Sequence, residues 1–190
     1  MKPLITFLIF AAVTSMAAAQ PAPAGAGAPP AAAKPKPYSP GDTRVYVTVA
    51  ACMQFHLGMS MHLLGKYGQS DPGMAAFADK LHKACTDLWT PGVDAAMRHG
   101  VEGKKFPREM SKNDQAALAR IDNIKDDRKW QLAFFDFYAR EARKNARDAE
   151  GAARSAEDPD LKEFSGKAVA LLKGDSDEIE AKLKELKAKK

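Results

Sequence analysis

The chain has 190 residues, a formal net charge of +5 and 45% hydrophobic residues. This length suffices for about one domain with a real apolar core. The basic residues are spread along the sequence and into a lysine-rich tail, 184–190. Nucleic-acid binding needs basic side chains clustered on one face, so this distribution argues against it and favours solvated helix faces.

The N-terminus has the pattern of an export signal. Lys2 precedes an apolar run, 4–13, and the small residues Ala17-Ala18-Ala19 precede Gln20. This order predicts a secretory signal peptide, residues 1–19, cleaved near Ala19. The apolar run is shorter than the roughly 20 residues that span a bilayer, which argues against a retained anchor. We therefore expect a periplasmic or otherwise exported protein, in an oxidising compartment.

A low-complexity segment follows the signal. Residues 20–40 are almost entirely Ala, Pro, Gly and Lys. Such a composition cannot bury enough apolar surface to offset the entropy of ordering, so it predicts a disordered linker. The pattern changes at Gly41, and we expect one helical domain over 41–190.

Two helices joined by a tight turn are predicted at the start of this domain. Apolar side chains recur at helical spacing over 44–67, which indicates an amphipathic helix. Asp71 as N-cap and Pro72 as first residue start the second helix. Pro91-Gly92 is expected to kink or end that helix, with a last turn or two to Arg98.

A second hairpin follows a long connection. Residues 100–110 predict a loop, and Ser111 with Asp114 resembles a capping box that opens a short helix to about Asn123. A long helix is predicted over 127–156, and Asp158-Pro159 starts a fourth. Two hairpins with such a crossover predict an all-α, ferritin-like four-helix bundle.

Several phrases of the sequence resemble an exported bacterial family, domain of unknown function 4142. They are Ser70-Asp71-Pro72, the stretches 77–81 and 110–118, Phe135-Asp136 and the stretch 160–164. The resemblance spans roughly 46–186 and implies a ferritin-like four-helix bundle in the cell envelope, of unknown activity.

Family members typically carry an Asp-His pair in the second helix and further histidines in the third and fourth. At those positions this chain has Ala84-Cys85, Arg147 and Asp175, and Gly58 is close to the position of the usual first-helix Glu. The resemblance therefore implies no metal ligands that carry over residue by residue.

The two cysteines are the first candidate site. Cys52 and Cys85 are almost equally far from the turn between the first two helices, so an antiparallel hairpin would place them at one level. An oxidising compartment favours a structural disulfide between them. The alternative is two buried thiols that act as small hydrophobic side chains.

A metal site is the competing hypothesis for the same hairpin. Cys52 and His56 on the first helix are level with Cys85 and His82 on the second. Two such pairs on facing helices could form a tetrahedral set for zinc or copper. This site and the disulfide exclude each other, because a disulfide offers no thiolate.

The carboxylates suggest a further pair. Glu141 and Asp175 lie about equally far from the turn at Asp158, so they could face each other as half of a dinuclear site. No Glu-x-x-His motif accompanies them, and ferritin-like oxidases depend on one. We expect surface ion pairs with neighbouring Arg or Lys instead.

The sequence contains neither a Gly-x-Ser-x-Gly motif nor a glycine-rich phosphate loop, and we name no catalytic residue. It favours a non-catalytic envelope protein with a binding, structural or stress-related role and no cofactor. The alternative is a metal-binding or redox module. In either case, the partner of the protein would be another envelope protein, or a membrane surface contacted by the amphipathic, lysine-rich end 179–190.

Overall fold

The computed structural model describes residues 35–189. The helices in this range are α1 (Pro40–Tyr67), α2 (Pro72–Arg98), α3 (Lys112–Asp122), α4 (Asp127–Ala153) and α5 (Pro159–Ala188), with one 3-10 turn at Gly103–Lys105. The predicted all-α class is confirmed for this part of the chain. The predicted signal peptide, and the predicted linker as far as residue 34, lie outside the described residues.

Side-chain caps set where the long helices begin. Ser39 Oγ accepts a hydrogen bond from the Asp42 amide at 3.0 Å, and Asp71 Oδ1 accepts one from the Met74 amide at 2.9 Å. α1 begins at Pro40 rather than near residue 44, because the Ser39 cap followed by proline is itself a helix start. α4 ends at Ala153 instead of 156.

The proline in α2 does not end the helix. α2 continues through Pro91 to Arg98, although a proline removes one backbone hydrogen bond. Packing of the following residues holds this last part in place: Gly92 and Ala96 are buried. A Cβ on Gly92 would lie 2.2 Å from Cε2 of Phe164, so α2 approaches α5 closely only because this residue is glycine.

The four long helices form two hairpins that pack on each other. α1 contacts α2, and α4 contacts α5, over most of their lengths; α1 also contacts α4 and α5, α2 contacts α5, and α3 packs on α4. The connection of four residues between α1 and α2 makes that pair antiparallel.

The core consists of two apolar clusters, one towards each end of the domain. The first is rich in aromatic side chains and includes Phe55, Trp130, Phe134, Phe135 and Tyr138. The second has smaller side chains and includes Val49, Met53, Ala146, Ala149 and Leu161. α1 has the length and apolar composition of a membrane-spanning helix, but half of its most apolar stretch is buried in this domain.

Polar contacts join elements that are distant in sequence at both ends of the domain. The Tyr67 hydroxyl at the end of α1 donates a hydrogen bond to Asp127 at 2.6 Å, and the Glu157 amide donates one to Asp42 Oδ1 at 2.8 Å. The Arg128 guanidinium donates to the carbonyl of Leu186. The start of α1 therefore lies beside the start of α5, and the start of α4 beside the end of α5.

Candidate functional site

The two cysteines do not form the predicted disulfide; both are free thiols. Cys85 donates a hydrogen bond from Sγ to Asp175 Oδ2 of α5 over 3.6 Å. Cys52 lies beside α4, where Asp148 and Lys144 influence its ionisation. The equal distance from the turn sets the level of the two residues along the hairpin, but it does not turn their side chains towards each other.

The predicted Cys/His metal set is not brought together either. No three of its four residues, all within the described range, have ligand atoms within 4.8 Å of one another. His56 lies against Asp175, with Nδ1 3.4 Å from Oδ2. His82 instead lies 3.3 Å from the Ser60 hydroxyl, measured from Nδ1.

A different polar cluster, His56, Cys85, Tyr138 and Asp175, occupies the core. One residue comes from each long helix: α1, α2, α4 and α5 in that order. His56, Cys85 and Tyr138 are 0% exposed and Asp175 is 5% exposed. His56, Cys85 and Asp175 belong to neither apolar cluster. We call these four residues the buried polar cluster.

Two members of the buried polar cluster have polar atoms without a hydrogen-bond partner. They are both ring nitrogens of His56 and the hydroxyl of Tyr138. The two rings pack edge to face, with centroids 5.6 Å apart. An unpartnered buried polar group costs about 1–3 kcal/mol, and native proteins contain few of them. The unpartnered groups of the cluster therefore destabilise the folded protein, and for this reason we treat the cluster as a candidate site.

The electrostatics of the cluster keep the Cys85 thiol and the Tyr138 hydroxyl protonated. Burial raises the pKa of the Cys85 thiol, and the charge of Asp175 and its hydrogen bond raise it further. Burial likewise raises the pKa of Tyr138 well above its usual value, with added effects from Cys85 and Asp175. A protonated thiol is a poor nucleophile, so Cys85 in this state is not set up for nucleophilic catalysis.

One cavity is an open groove on the surface, of about 770 Å³. Residues of α1, of α4 and of the segment around α3 line it. Its wall includes apolar side chains such as Cys52, Phe55 and Phe137, and charged ones such as Arg140 and Lys144. We call it the α1–α4 groove. Burial raises the pKa of Cys52 to about 11, with Asp148 adding to the effect, so this thiol is also protonated at neutral pH.

A second buried histidine, His99, lies at the end of α2. His99 is 5% exposed, and its Nδ1 lies 2.7 Å from the Lys36 carbonyl, while Nε2 lies 3.1 Å from Asp160 Oδ2. Tyr38 stacks on its ring with centroids 4.3 Å apart. In the described residues, His99 with Asp158 and Asp160 is the group of three whose possible ligand atoms all lie within 4.8 Å. Its contacts hold the segment before α1 against the helical domain.

The sequence did not predict that Tyr138 and Asp175 belong to the buried polar cluster. Tyr138 stands among other aromatic residues of α4, such as Phe137, and nothing in the sequence distinguishes it from them. Asp175 was paired with Glu141, and the expectation of an ion pair is confirmed for Glu141, which lies 3.2 Å from Arg140 Nε. For Asp175 the expected surface pair is wrong, because its partners are buried. The signal available in the sequence was that Asp175 stands among the apolar positions of its helix, where a carboxylate is expected to be buried.

Comparison with protein families, curated proteins and solved structures finds no match to this chain. The resemblance to domain of unknown function 4142 stays a prediction. The assignment of function therefore depends on the chain's own geometry.

Proposed function

We propose that this chain is an exported, ferritin-like four-helix bundle of the cell envelope that binds a partner through its surface and is not an enzyme. The observation that carries the proposal is where the reactive side chains lie. The thiols, the imidazole of His56 and the Tyr138 hydroxyl are 5% exposed or less. A substrate in solution does not reach groups that are buried in this way, and the two thiols, whose pKa values are raised, are unsuited to nucleophilic attack because they stay protonated.

The helix arrangement supports the finer fold proposal. Two antiparallel hairpins joined by a long connection, which here contains α3, are the topology of ferritin-like proteins. Export is proposed from the signal pattern at residues 1–19.

The α1–α4 groove supports binding. It combines apolar wall residues with a rim of both charge signs, including Glu109, Asp114, Arg140 and Lys144. Protein-binding surfaces combine an apolar centre with a polar rim in the same way. We therefore place the partner contact here.

Site-specific photo-crosslinking in the exporting cell tests this proposal. A photo-reactive amino acid replaces the exposed residue Ala51, in the groove, and Lys83, exposed on α2, serves as the matched control. We expect a discrete heavier species in the envelope fraction from position 51 alone, and competition by an excess of unlabelled protein. Equal crosslinking at both positions, or none at position 51, would contradict binding through the groove.

A further inference from the structure

In the buried polar cluster, the side chains of His56 and Cys85 both approach the carboxylate of Asp175. Asp175 Oδ2 lies 3.4 Å from His56 Nδ1 and 3.6 Å from Cys85 Sγ. The three residues come from α5, α1 and α2. Neighbouring ligands of a tetrahedral zinc ion are about 3.3–3.7 Å apart, given metal–ligand bonds of about 2.0–2.3 Å. Both distances to the carboxylate therefore fit ligands that share one ion.

The unpartnered imidazole points to a ligand. His56 is 0% exposed, and neither ring nitrogen has a hydrogen-bond partner. An imidazole nitrogen beside a thiol and a carboxylate is a metal ligand in many proteins. The approach of Nδ1 to Asp175 at 3.4 Å is not a hydrogen bond, and coordination would give one of the two nitrogens a directed bond.

We propose that His56, Cys85 and Asp175 form a zinc site in the core of the helical domain. Imidazole nitrogen, thiolate sulfur and carboxylate oxygen are the three donors that Zn²⁺ accepts. The hard carboxylate argues against Cu(I), which prefers thiolate and thioether. This proposal goes beyond the surface-binding function and does not depend on it.

The charges balance when zinc binds. As the Zn–S bond forms, the Cys85 thiol releases its proton to solvent, because the ligand is the thiolate. One thiolate and one carboxylate then neutralise the two positive charges of the ion. A neutral site is what an apolar core tolerates, since an unpaired buried charge is costly.

Binding requires a small movement. The three ligand atoms do not all lie within 4.8 Å of one another, so the imidazole and thiol are further apart than the two contacts to Asp175. A tetrahedral site would bring nitrogen and sulfur closer by about 1 Å or more. Binding therefore requires the side chains of His56 and Cys85 to rotate towards each other, and the ion would then join α1 and α2 to α5.

Metal titration of the purified protein, first freed of metal with a chelator, tests the proposal. We expect one Zn²⁺ per chain, a higher Tm with zinc, and a thiolate-to-metal absorption band when Co²⁺ replaces it. Cys85→Ala and Asp175→Asn each weaken zinc binding about tenfold or more, and Cys85→Ala abolishes the band. Circular dichroism confirms that both variants remain helical; Asp175→Asn, which changes shape least, keeps the test valid if Cys85→Ala unfolds.

Two controls separate this site from other metal binding. Cys52→Ala removes the other buried thiol and should leave the affinity and the band unchanged. His99→Ala removes the histidine of the group with Asp158 and Asp160, and it should also leave them unchanged. Loss of zinc binding in either control, or no stoichiometric zinc in the parent protein, would overturn the assignment.

Discussion

At the scale of single residues, the two cysteines show how differently one side chain behaves in two surroundings. Cys52 is 5% exposed and lines the α1–α4 groove, whereas Cys85 is 0% exposed and donates a hydrogen bond to Asp175. Burial raises the pKa of both thiols. Both are therefore slow to react, and Cys85 is the slower.

Thiol labelling checks this order. In the folded protein at mildly alkaline pH, we expect alkylation of Cys52 to proceed slowly and alkylation of Cys85 to be slower still, because the reactive thiolate is scarce in both. In denaturant, without reductant, both should react. Intact mass spectrometry and peptide mapping measure each site. Protein from the periplasm that shows no free thiol in denaturant would instead support the disulfide predicted from the sequence.

The cysteines also show what residue counting can predict. Their distance from the turn gives the level of each residue along the hairpin. The direction of a side chain depends on the rotation of the helix about its own axis, and that is set by the second hairpin. Cys52 faces α4 and Cys85 faces α5, so a prediction built on α1 and α2 alone had no information on this point.

At the scale of helices, the residues where helices begin were easier to predict from the sequence than the packing of one helix on another. Asp71-Pro72, Ser111 and Asp158-Pro159 are local signals, and each does start a helix. The sequence predicted helical structure as far as Arg98 but left open whether Pro91 would end the helix or kink it, because Phe164, which packs on Gly92, is 72 positions further along the chain. Packing here overrides a local helix-breaking signal.

Substituting this glycine tests the close approach of α2 and α5. We expect Gly92→Ala to lower the free energy of unfolding by about 1–3 kcal/mol, because the new Cβ would overlap the Phe164 ring and force it to move. Urea denaturation at neutral pH measures the change. The matched control is Gly166→Ala in α5, where a Cβ meets nothing within 4 Å.

The control should stabilise the protein by about 0.5–1 kcal/mol, since alanine is the better helix former. If both variants change stability by the same amount and sign, the contact of Gly92 with Phe164 does not limit the packing of the two helices.

At the scale of the whole molecule, Asp42 joins the beginning of the helical domain to its last hairpin. Its carboxylate accepts hydrogen bonds from the Glu157 amide, the Asp158 amide and the Ser39 hydroxyl. Burial raises its pKa, but these hydrogen bonds outweigh burial, so the pKa is lowered on balance. The folded state thus binds a proton less readily than the unfolded chain does.

This shift gives a pH dependence with a definite sign. The contribution of Asp42 to stability is present above the unfolded pKa of about 3.9 and is lost as the pH falls through the lower folded value. At neutral pH, Asp42→Asn should destabilise the protein by about 1–3 kcal/mol, and the difference from the parent should shrink in acid. Urea denaturation of both proteins at neutral pH and at acid pH measures this difference in stability.

Asp79→Asn, at an exposed position of α2, is the matched control and should leave the stability nearly unchanged at both pH values. A difference for Asp42→Asn that is independent of pH would show that its charge does not contribute.

The all-helical class was predictable because amphipathic periodicity and cap residues recur along the chain. The buried polar cluster was not, since it needs one residue from each of four helices, and residues 56 and 175 come together only when both hairpins pack. The α1–α4 groove could not be predicted from the sequence for the same reason, because three separate segments of the chain line it.

The contact of Tyr38 with His99 bears on the distance between the N-terminal segment and the lysine-rich end of α5. It fixes the point where the preceding chain joins the helical domain, beside the starts of α1 and α5. α5 has 30 residues, so at 1.5 Å per residue its lysine-rich end lies about 45 Å from that point. A surface bound by these lysines would therefore be held a full helix length away from the point where the N-terminal segment meets the domain.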